Sequence, residues 1–133
     1  MAQITEDYCS FETVKLLKEK GFDVPCKNYY SIYTEDVKHN LQKKYGAKKN
    51  WNSFALAISR PSQSLAMKWL REVHHCVICI IPLTFYGGEI GSSWGYCIWA
   101  DDNVEVDKVS SPRLESYEEA AESAIKYCLE KLI

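Results

Sequence analysis

Four side chains of types that bind transition metals lie close together near the middle of the chain. His74, His75, Cys76 and Cys79 fall within six residues, and Cys-x-x-Cys forms half of many zinc sites. The second half of such a site is missing from the sequence, and residues three apart on an extended strand point to opposite faces. Because the valine and isoleucine between the two cysteines favour a strand, we expect no metal and no cofactor here.

A serine in the second half of the chain matches the pattern of a hydrolase nucleophile. The segment Gly91–Gly95 reads Gly-Ser-Ser-Trp-Gly. In Gly-x-Ser-x-Gly hydrolases the serine lies between a strand and a helix, and the catalytic histidine comes later in the chain. Here a strand pattern follows Ser93, and all three histidines, His39, His74 and His75, precede it. We therefore interpret the segment as part of a hairpin turn.

A cysteine nucleophile is the other enzymatic alternative. Cys76 or Cys97 would have to lie beside His74 in the fold, since an adjacent base activates a thiol by removing its proton. Both cysteines lie in apolar strand patterns, where burial raises the pKa of a thiol and makes it inert. We therefore predict that the protein is not an enzyme, and a small cysteine or serine enzyme remains the second alternative.

The best candidate for a binding site is the lysine-rich segment Lys38–Trp51, which contains no acidic residue. Lysines that pair with phosphates and aromatic rings that stack on bases are the components of a nucleic-acid-binding surface. The overall charge opposes this function, because nucleic-acid-binding domains are usually basic, whereas the isoelectric point here is near 5.9. A nucleic-acid-binding accessory protein is the first alternative, with these candidate residues: Lys43, Lys44, Tyr45, Lys48, Lys49 and Trp51.

Charge and aromatic content favour a protein that works by contact with other proteins. Residues 1–75 carry 12 basic and 8 acidic side chains, whereas residues 76–133 carry 4 basic and 10 acidic ones. Such polarity can orient a partner or a second copy of the molecule. The chain also has nine tyrosines and four tryptophans, and aromatic residues are enriched in protein interfaces. We predict a non-catalytic accessory or binding protein whose partner is another protein or a second copy.

The first half of the chain contains recognisable start and stop signals for its elements. Ser10 and Gly21 bracket an amphipathic helix. The aromatic and β-branched run Asn28–Tyr33 predicts a strand, residues 34–46 fit either a helix or a loop, and Phe54–Ile58 predicts another strand.

In the second half, a helix over Ser62–His75 precedes the nearly continuous apolar run Cys76–Phe85. The run predicts a central strand that is covered on both sides, and it forms a hairpin with a strand over Trp94–Ala100. A capping box at Ser116 begins the last helix. The other expected features are an apolar face on the central helix (Leu65, Ala66, Trp69, Leu70, Val73), a turn over 87–93, and a further strand at Val104, Val106 and Val109.

These elements predict one α+β domain spanning residues 1–133. Its architecture is a single antiparallel sheet of about four strands packed against N-terminal, central and C-terminal helices. No apolar stretch reaches the roughly 18 residues that a bilayer span needs, so we expect no membrane contact. The acidic beginning Met1–Asp7 lacks the features of a secretory signal. We therefore expect a cytoplasmic protein with free thiols.

Several segments carry a resemblance to known sequences. These are Ile4–Tyr8, Phe11–Thr13, Lys15–Phe22, the central run Ser59–Glu72, and the C-terminal runs Ser116–Glu122 and Lys126–Ile133. Together they resemble a group of small uncharacterised proteins of Bacteroides genomes, their phages and mobile elements. The resemblance implies an origin in a prophage or a related element, and it implies no activity, ligand or site residue.

Overall fold

The structure, a computed structural model, describes residues 4, 6–31, 41–43, 48–83, 93–101, 104–108 and 114–133. The chain divides into two compact units, residues 1–66 and 67–133, and the prediction of one domain stays a prediction. The described residues form three α-helices and two antiparallel sheets of three strands each. The α+β class is confirmed. The single sheet of about four strands is wrong, because the described strands divide into two groups of three and no strand of one group pairs with a strand of the other. No helix in this part of the chain is long and apolar enough to span a bilayer.

In the first unit, α1 (Phe11–Glu19) begins and ends at the predicted signals. The Ser10 hydroxyl accepts a hydrogen bond from the Thr13 amide at 3.3 Å. At the other end Gly21 has φ of +87°, a left-handed conformation that glycine adopts without strain. The Phe22 amide then donates to the Leu17 carbonyl at 2.9 Å, which completes a Schellman motif and buries both side chains.

The sheet of the first unit contains β1 (Asn28–Ser31), β2 (Leu41–Lys43) and β3 (Ala57–Ser59) in the order β2-β1-β3. The expectation of a helix or loop over 34–46 is wrong at 41–43, which form β2, and its other residues lie outside the described part. The strand expected from Phe54 begins only at Ala57, because residues 51–53 form a 3₁₀ turn and 54–56 continue as a turn.

The helix α2 (Gln63–His74) contains the boundary between the two units. The Ser62 hydroxyl accepts a hydrogen bond from the Leu65 amide at 3.2 Å, which satisfies one of the free amides at the helix start. Trp69 is buried, as predicted for a core anchor. Val73 was expected on the same apolar face, but 55% of its surface is exposed. That expectation is wrong, because the buried stripe ends one turn earlier.

The sheet of the second unit contains β4 (Val77–Leu83), β5 (Ser93–Ala100) and β6 (Val104–Lys108) in the order β4-β5-β6. The antiparallel pairing of β4 with β5 confirms the predicted hairpin strands, whereas 84–92 and Val109 lie outside the described residues. The expectation that β4 is central and covered on both sides is wrong. Among the described strands it pairs only with β5, and its residues Val77 and Cys79 are exposed.

The last helix, α3 (Tyr117–Tyr127), continues as a π-helical turn over Cys128–Leu132. Its capping box forms with a shifted partner. The Ser116 hydroxyl accepts from the Glu119 amide at 3.1 Å, while the Glu119 carboxylate accepts from the Glu115 amide at 2.9 Å. The helix packs on β4 and β5, and its predicted apolar stripe is largely buried: Ala121, Ala124, Ile125, Cys128 and Leu129.

Candidate protein-contact surface

The predicted lysine-rich site is only partly described. Lys43 lies at the end of β2, and Lys44 and Tyr45 lie outside the described residues. Lys48 and Lys49 are exposed, so their ammonium groups are accessible to an anion. The backbone of Lys49 pairs with that of Cys26 in an isolated antiparallel bridge, which fixes this end of the segment to the first unit.

The aromatic member of that predicted site is part of the core. Only 6% of the surface of Trp51 is exposed, and its indole nitrogen donates to the Cys26 carbonyl at 2.7 Å. The ring stacks on Tyr29 with 4.0 Å between centroids. Because Tyr29 contacts one face of this ring and its edge is hydrogen-bonded in the interior, no face is accessible for stacking on a base. Trp51 therefore contributes to core packing.

The described residues contain no cluster of three or more histidine, cysteine or acidic side chains able to hold a metal. Cys76 and Cys128 are both buried, and burial is the first cause of the raised pKa of each thiol. The Cys76 thiol donates to the backbone carbonyl of His74 at 3.6 Å, while the His74 imidazole packs edge-on against Trp69. This contact therefore lacks the thiol–imidazole geometry of a cysteine nucleophile.

The serine of the Gly-x-Ser-x-Gly match is the first residue of a strand. Ser93 begins β5, which runs on to Ala100, and it pairs directly with Leu83 of β4. A nucleophile elbow places its serine before a helix, where the helix N-terminus and backbone amides face the substrate. A strand in that position provides no such geometry.

One face of the second sheet brings together side chains from all three strands. Val77 lies directly opposite Trp99, and Cys79 directly opposite Cys97; on the other side of β5, Trp99 pairs with Glu105 and Cys97 with Asp107. Cross-strand partners, and residues two apart on one strand, share a face. We call this surface the open face: Val77, Cys79, Cys97, Trp99, Glu105 and Asp107.

Large apolar area on the open face is in contact with solvent. Trp99 is 49% exposed and Val77 is 39% exposed, and Cys79 is exposed while Cys97 is half-buried. An antiparallel sheet normally turns polar side chains toward water. A tryptophan beside a valine at an exposed position is instead characteristic of a contact surface.

The opposite face of the sheet packs against α3. Ile98 is fully buried and Tyr96 nearly so, and burial is the main cause of the raised pKa of the Tyr96 phenol. At the end of β6 the Lys108 ammonium lies 5.7 Å from the centre of the Tyr127 ring, a cation–π contact. Residues 96–99 of β5 therefore alternate between a packed core and the more exposed face.

The open face carries negative charge along β6. Glu105 and Asp107 are both exposed, and Asp107 Oδ1 lies 3.8 Å from Cys97 Sγ. Burial is the first cause of the raised pKa of the Cys97 thiol, and the charges of Asp107 and Glu105 raise it further. The face is thus apolar over β4 and β5 and acidic over β6.

The first unit exposes a surface of the opposite charge. Phe54 and Leu56 are about half exposed in the turn before β3, and the exposed Lys48 and Lys49 precede them in the chain. The Phe54 ring lies 6.0 Å from the Trp51 ring, over which the Lys49 ammonium lies at 5.9 Å. We call these four residues the basic apolar patch: Lys48, Lys49, Phe54 and Leu56.

The half-buried Lys18 holds the turn that displays this patch. Lys18 Nζ of α1 donates to the Phe54 carbonyl at 3.1 Å and to the Ala57 carbonyl at 2.8 Å. Asn52 adds two further bonds, donating to the Phe22 carbonyl at 2.9 Å and accepting from the Ser59 amide at 2.8 Å. The exposure of Phe54 and Leu56 is therefore fixed by bonded backbone.

No known protein family, curated protein or solved structure matches this chain in the comparisons. The resemblance to Bacteroides and phage proteins therefore stays an expectation. The arrangement of side chains on the two surfaces is the basis for assigning a function.

The open face was missed because the apolar run over 76–85 hides which residues point outward. One signal was present in β6, where Glu105 and Asp107 alternate with Val104 and Val106. That period of two is typical of a strand with one face in water. The strand pairing carries this alternation from β6 to β5 and β4, and it then identifies the residues on the same face as the two acids: Cys97, Trp99, Cys79 and Val77.

Proposed function

We propose that this chain is a non-catalytic binding protein that acts through protein–protein contacts, with the open face as its contact surface. The observation that carries the proposal is the exposure of Trp99 directly opposite Val77 on a sheet face. Tryptophan is the residue type that most often dominates binding energy at protein interfaces. Covering these two side chains would remove apolar area from water at about 25 cal/mol per Å².

The partner that the chemistry fits best is a second copy of the same chain. The open face combines apolar side chains with Glu105 and Asp107, whereas the basic apolar patch combines Phe54 and Leu56 with lysines. Apolar contact at the centre, with opposite charges at the rim, is the usual organisation of a specific interface. The charge division along the chain, basic before residue 75 and acidic after it, agrees with this pairing.

Docking of one surface on the other would be a head-to-tail contact between copies. Such a contact uses two different patches, so every open oligomer keeps one unoccupied surface of each kind, at its two ends, until a ring closes. The expected product is therefore a series of oligomers whose size rises with concentration. Salt screens the attraction between the opposite charges at the rim of the contact, so the association should weaken at high salt.

Sedimentation velocity and light scattering, from micromolar to near-millimolar protein, test this proposal. The wild-type chain is expected to associate, and both Trp99→Asp and Phe54→Asp are expected to be monomers. A mixture of the two variants is the most discriminating experiment. Each variant retains the surface that the other has lost, so the mixture should form a dimer and stop there.

Val73→Asp is the matched control, because Val73 is exposed but belongs to neither surface, and it should associate like the wild type. A wild-type chain that stays monomeric near millimolar concentration would refute the proposal. So would a mixture of the two aspartate variants that contains only monomers.

No described contact favours nucleic acid, since Trp51 is buried and only Lys48 and Lys49 of the candidate side chains are shown to be accessible. A gel shift with single-stranded DNA and RNA distinguishes the alternatives. Binding that weakens steeply with salt and that is lost in Lys48→Ala/Lys49→Ala would favour nucleic acid over a protein partner.

A further inference from the structure

The six cysteines of this chain occupy two distinct kinds of environment. Four are buried: Cys9, Cys26, Cys76 and Cys128. Cys79 is exposed and Cys97 is half-buried, and both lie on the open face. Oxidation by a dissolved reagent requires access to the sulfur, so these two are the candidates for redox chemistry.

Cys79 and Cys97 are direct cross-strand partners in the pairing of β4 with β5. Directly opposed residues of an antiparallel ladder have Cα atoms about 4.5 or 5.5 Å apart, depending on their position in the hydrogen-bond pattern. Both values lie within the Cα separation of roughly 4.4–6.8 Å that a disulfide spans. Both side chains also leave the sheet on the same face, so bridging them requires only a small approach of the two strands.

We propose that Cys79 and Cys97 form a reversible intramolecular disulfide that links β4 to β5, with a low-molecular-weight disulfide as the oxidant. The inference uses only the strand register and the exposure of the two thiols. It is independent of the binding proposed above. Its location on the open face means that oxidation would also change the surface beside Trp99.

The reaction takes place by two successive thiol–disulfide exchanges. The exposed Cys79 thiolate attacks one sulfur of the oxidant, so that a mixed disulfide forms at Cys79 and one molecule of reduced thiol leaves. Cys97, as a thiolate, then attacks the Cys79 sulfur and releases the second molecule of reduced thiol. The protein loses two protons and two electrons overall, and the oxidant is reduced to two thiols.

The second unit contains its own control for this chemistry in Cys76 and Cys128. These two thiols lie near enough to influence each other's pKa values, but both are fully buried. If proximity alone decided oxidation, the buried pair would be oxidised as well. If access decides it, only the pair on the open face reacts.

Titration with mixtures of oxidised and reduced glutathione tests the proposal on the full-length, reduced protein. After acid quenching and denaturation, maleimide alkylation and intact mass spectrometry count the free thiols. The wild type is expected to change from six alkylated cysteines to four, and its mass should show no glutathione bound to the protein. Chymotryptic mapping should then place the bond between Cys79 and Cys97, since no lysine or arginine separates them for trypsin.

The substitutions Cys97→Ser and Cys79→Ser separate the two steps. Cys97→Ser is expected to stop at one glutathione adduct on Cys79, and Cys79→Ser is expected to form no intramolecular bond. Cys76→Ala should still lose two thiols, like the wild type. All three proteins are compared by circular dichroism, and because the wild-type count needs no variant, a variant that fails to fold leaves the test intact.

Three results would overturn the proposal. The first is a wild type that keeps six free thiols even when oxidised glutathione is in large excess. The second is a bond between Cys76 and Cys128, and the third is a covalent dimer on a non-reducing gel in place of the intramolecular bond.

Discussion

The two faces of the β4-β5-β6 sheet are built from alternate residues of the same strands, yet only one face is packed. Ile98 is completely buried, while its neighbour Trp99 is 49% exposed. Both are large apolar side chains. Hydrophobicity alone therefore does not decide which of them enters the core; pairing register and the position of α3 do.

The cysteines of the second unit repeat this comparison with matched chemistry. Cys76 and Cys128 contact each other in the interior, and Cys79 and Cys97 face each other across the open face. Burial converts the first pair into apolar packing groups, while the second pair keeps access to reagents. The same residue type thus contributes to stability in one place and, on our proposal, to redox chemistry in the other.

The largest expected difference between the two faces is in stability. Ile98→Ala removes buried methylene groups and leaves a cavity against α3, so it should lower the free energy of unfolding by about 3 kcal/mol. Trp99→Ala should lower it by less than about 1 kcal/mol, because much of that ring is already in water. Urea denaturation with constant m-values measures both. Equal losses in the two variants would show that the open face is packed in solution.

The elements at the ends of the chain were the most predictable from the sequence. Ser10 with Gly21, and Ser116 with Glu119, act through bonds between residues a few positions apart, so local sequence is sufficient to place α1 and α3. Even there, the Glu119 carboxylate bonds the Glu115 amide, a partner that the capping-box pattern does not specify.

The candidate surface was much less predictable, because it depends on contacts between distant residues. Trp51 belonged to the predicted lysine-rich site, but its bond to the Cys26 carbonyl and its stacking on Tyr29 place it in the core. The exposure of Val77 and Cys79 follows from their position on the sheet face opposite to α3. A nearly uniform apolar run contains no period from which that position is evident.

The pH dependence of stability gives a smaller but directional test of the buried thiols. Burial raises the pKa values of Cys76 and Cys128 above those of the unfolded chain. Their contribution to stability is therefore fully present below the ordinary thiol pKa of about 8.5. It is lost as the pH rises above that value, because only the unfolded chain then releases the protons.

Urea denaturation between pH 8 and pH 9.5 measures this loss, with a limiting slope of about 1.4 kcal/mol per pH unit for each thiol. Cys128→Ala should reduce the slope, and Val73→Ala, which replaces an exposed side chain that does not titrate, should leave it unchanged. A Cys128→Ala variant with the wild-type slope would show that this thiol is not protected from ionisation by the fold.

The smallest expected effect concerns Cys97, the thiol on the open face whose pKa the acidic residues of β6 help to raise. Asp107 and Glu105 contribute to the raised pKa of Cys97, after burial. Asp107→Asn removes one of these charges, so the pKa should fall, the thiolate fraction near neutral pH should rise, and alkylation of Cys97 by iodoacetamide should become a few times faster. Because Asp107 is exposed, the free energy of unfolding should change by no more than about 0.5 kcal/mol.

A Glu118→Gln variant, altered on α3 and outside the open face, is the matched charge control and should leave the Cys97 rate unchanged. An equal rise in the alkylation rates of Cys76 and Cys128 would instead mean that the substitution loosens the whole unit, and that the two faces do not differ in access.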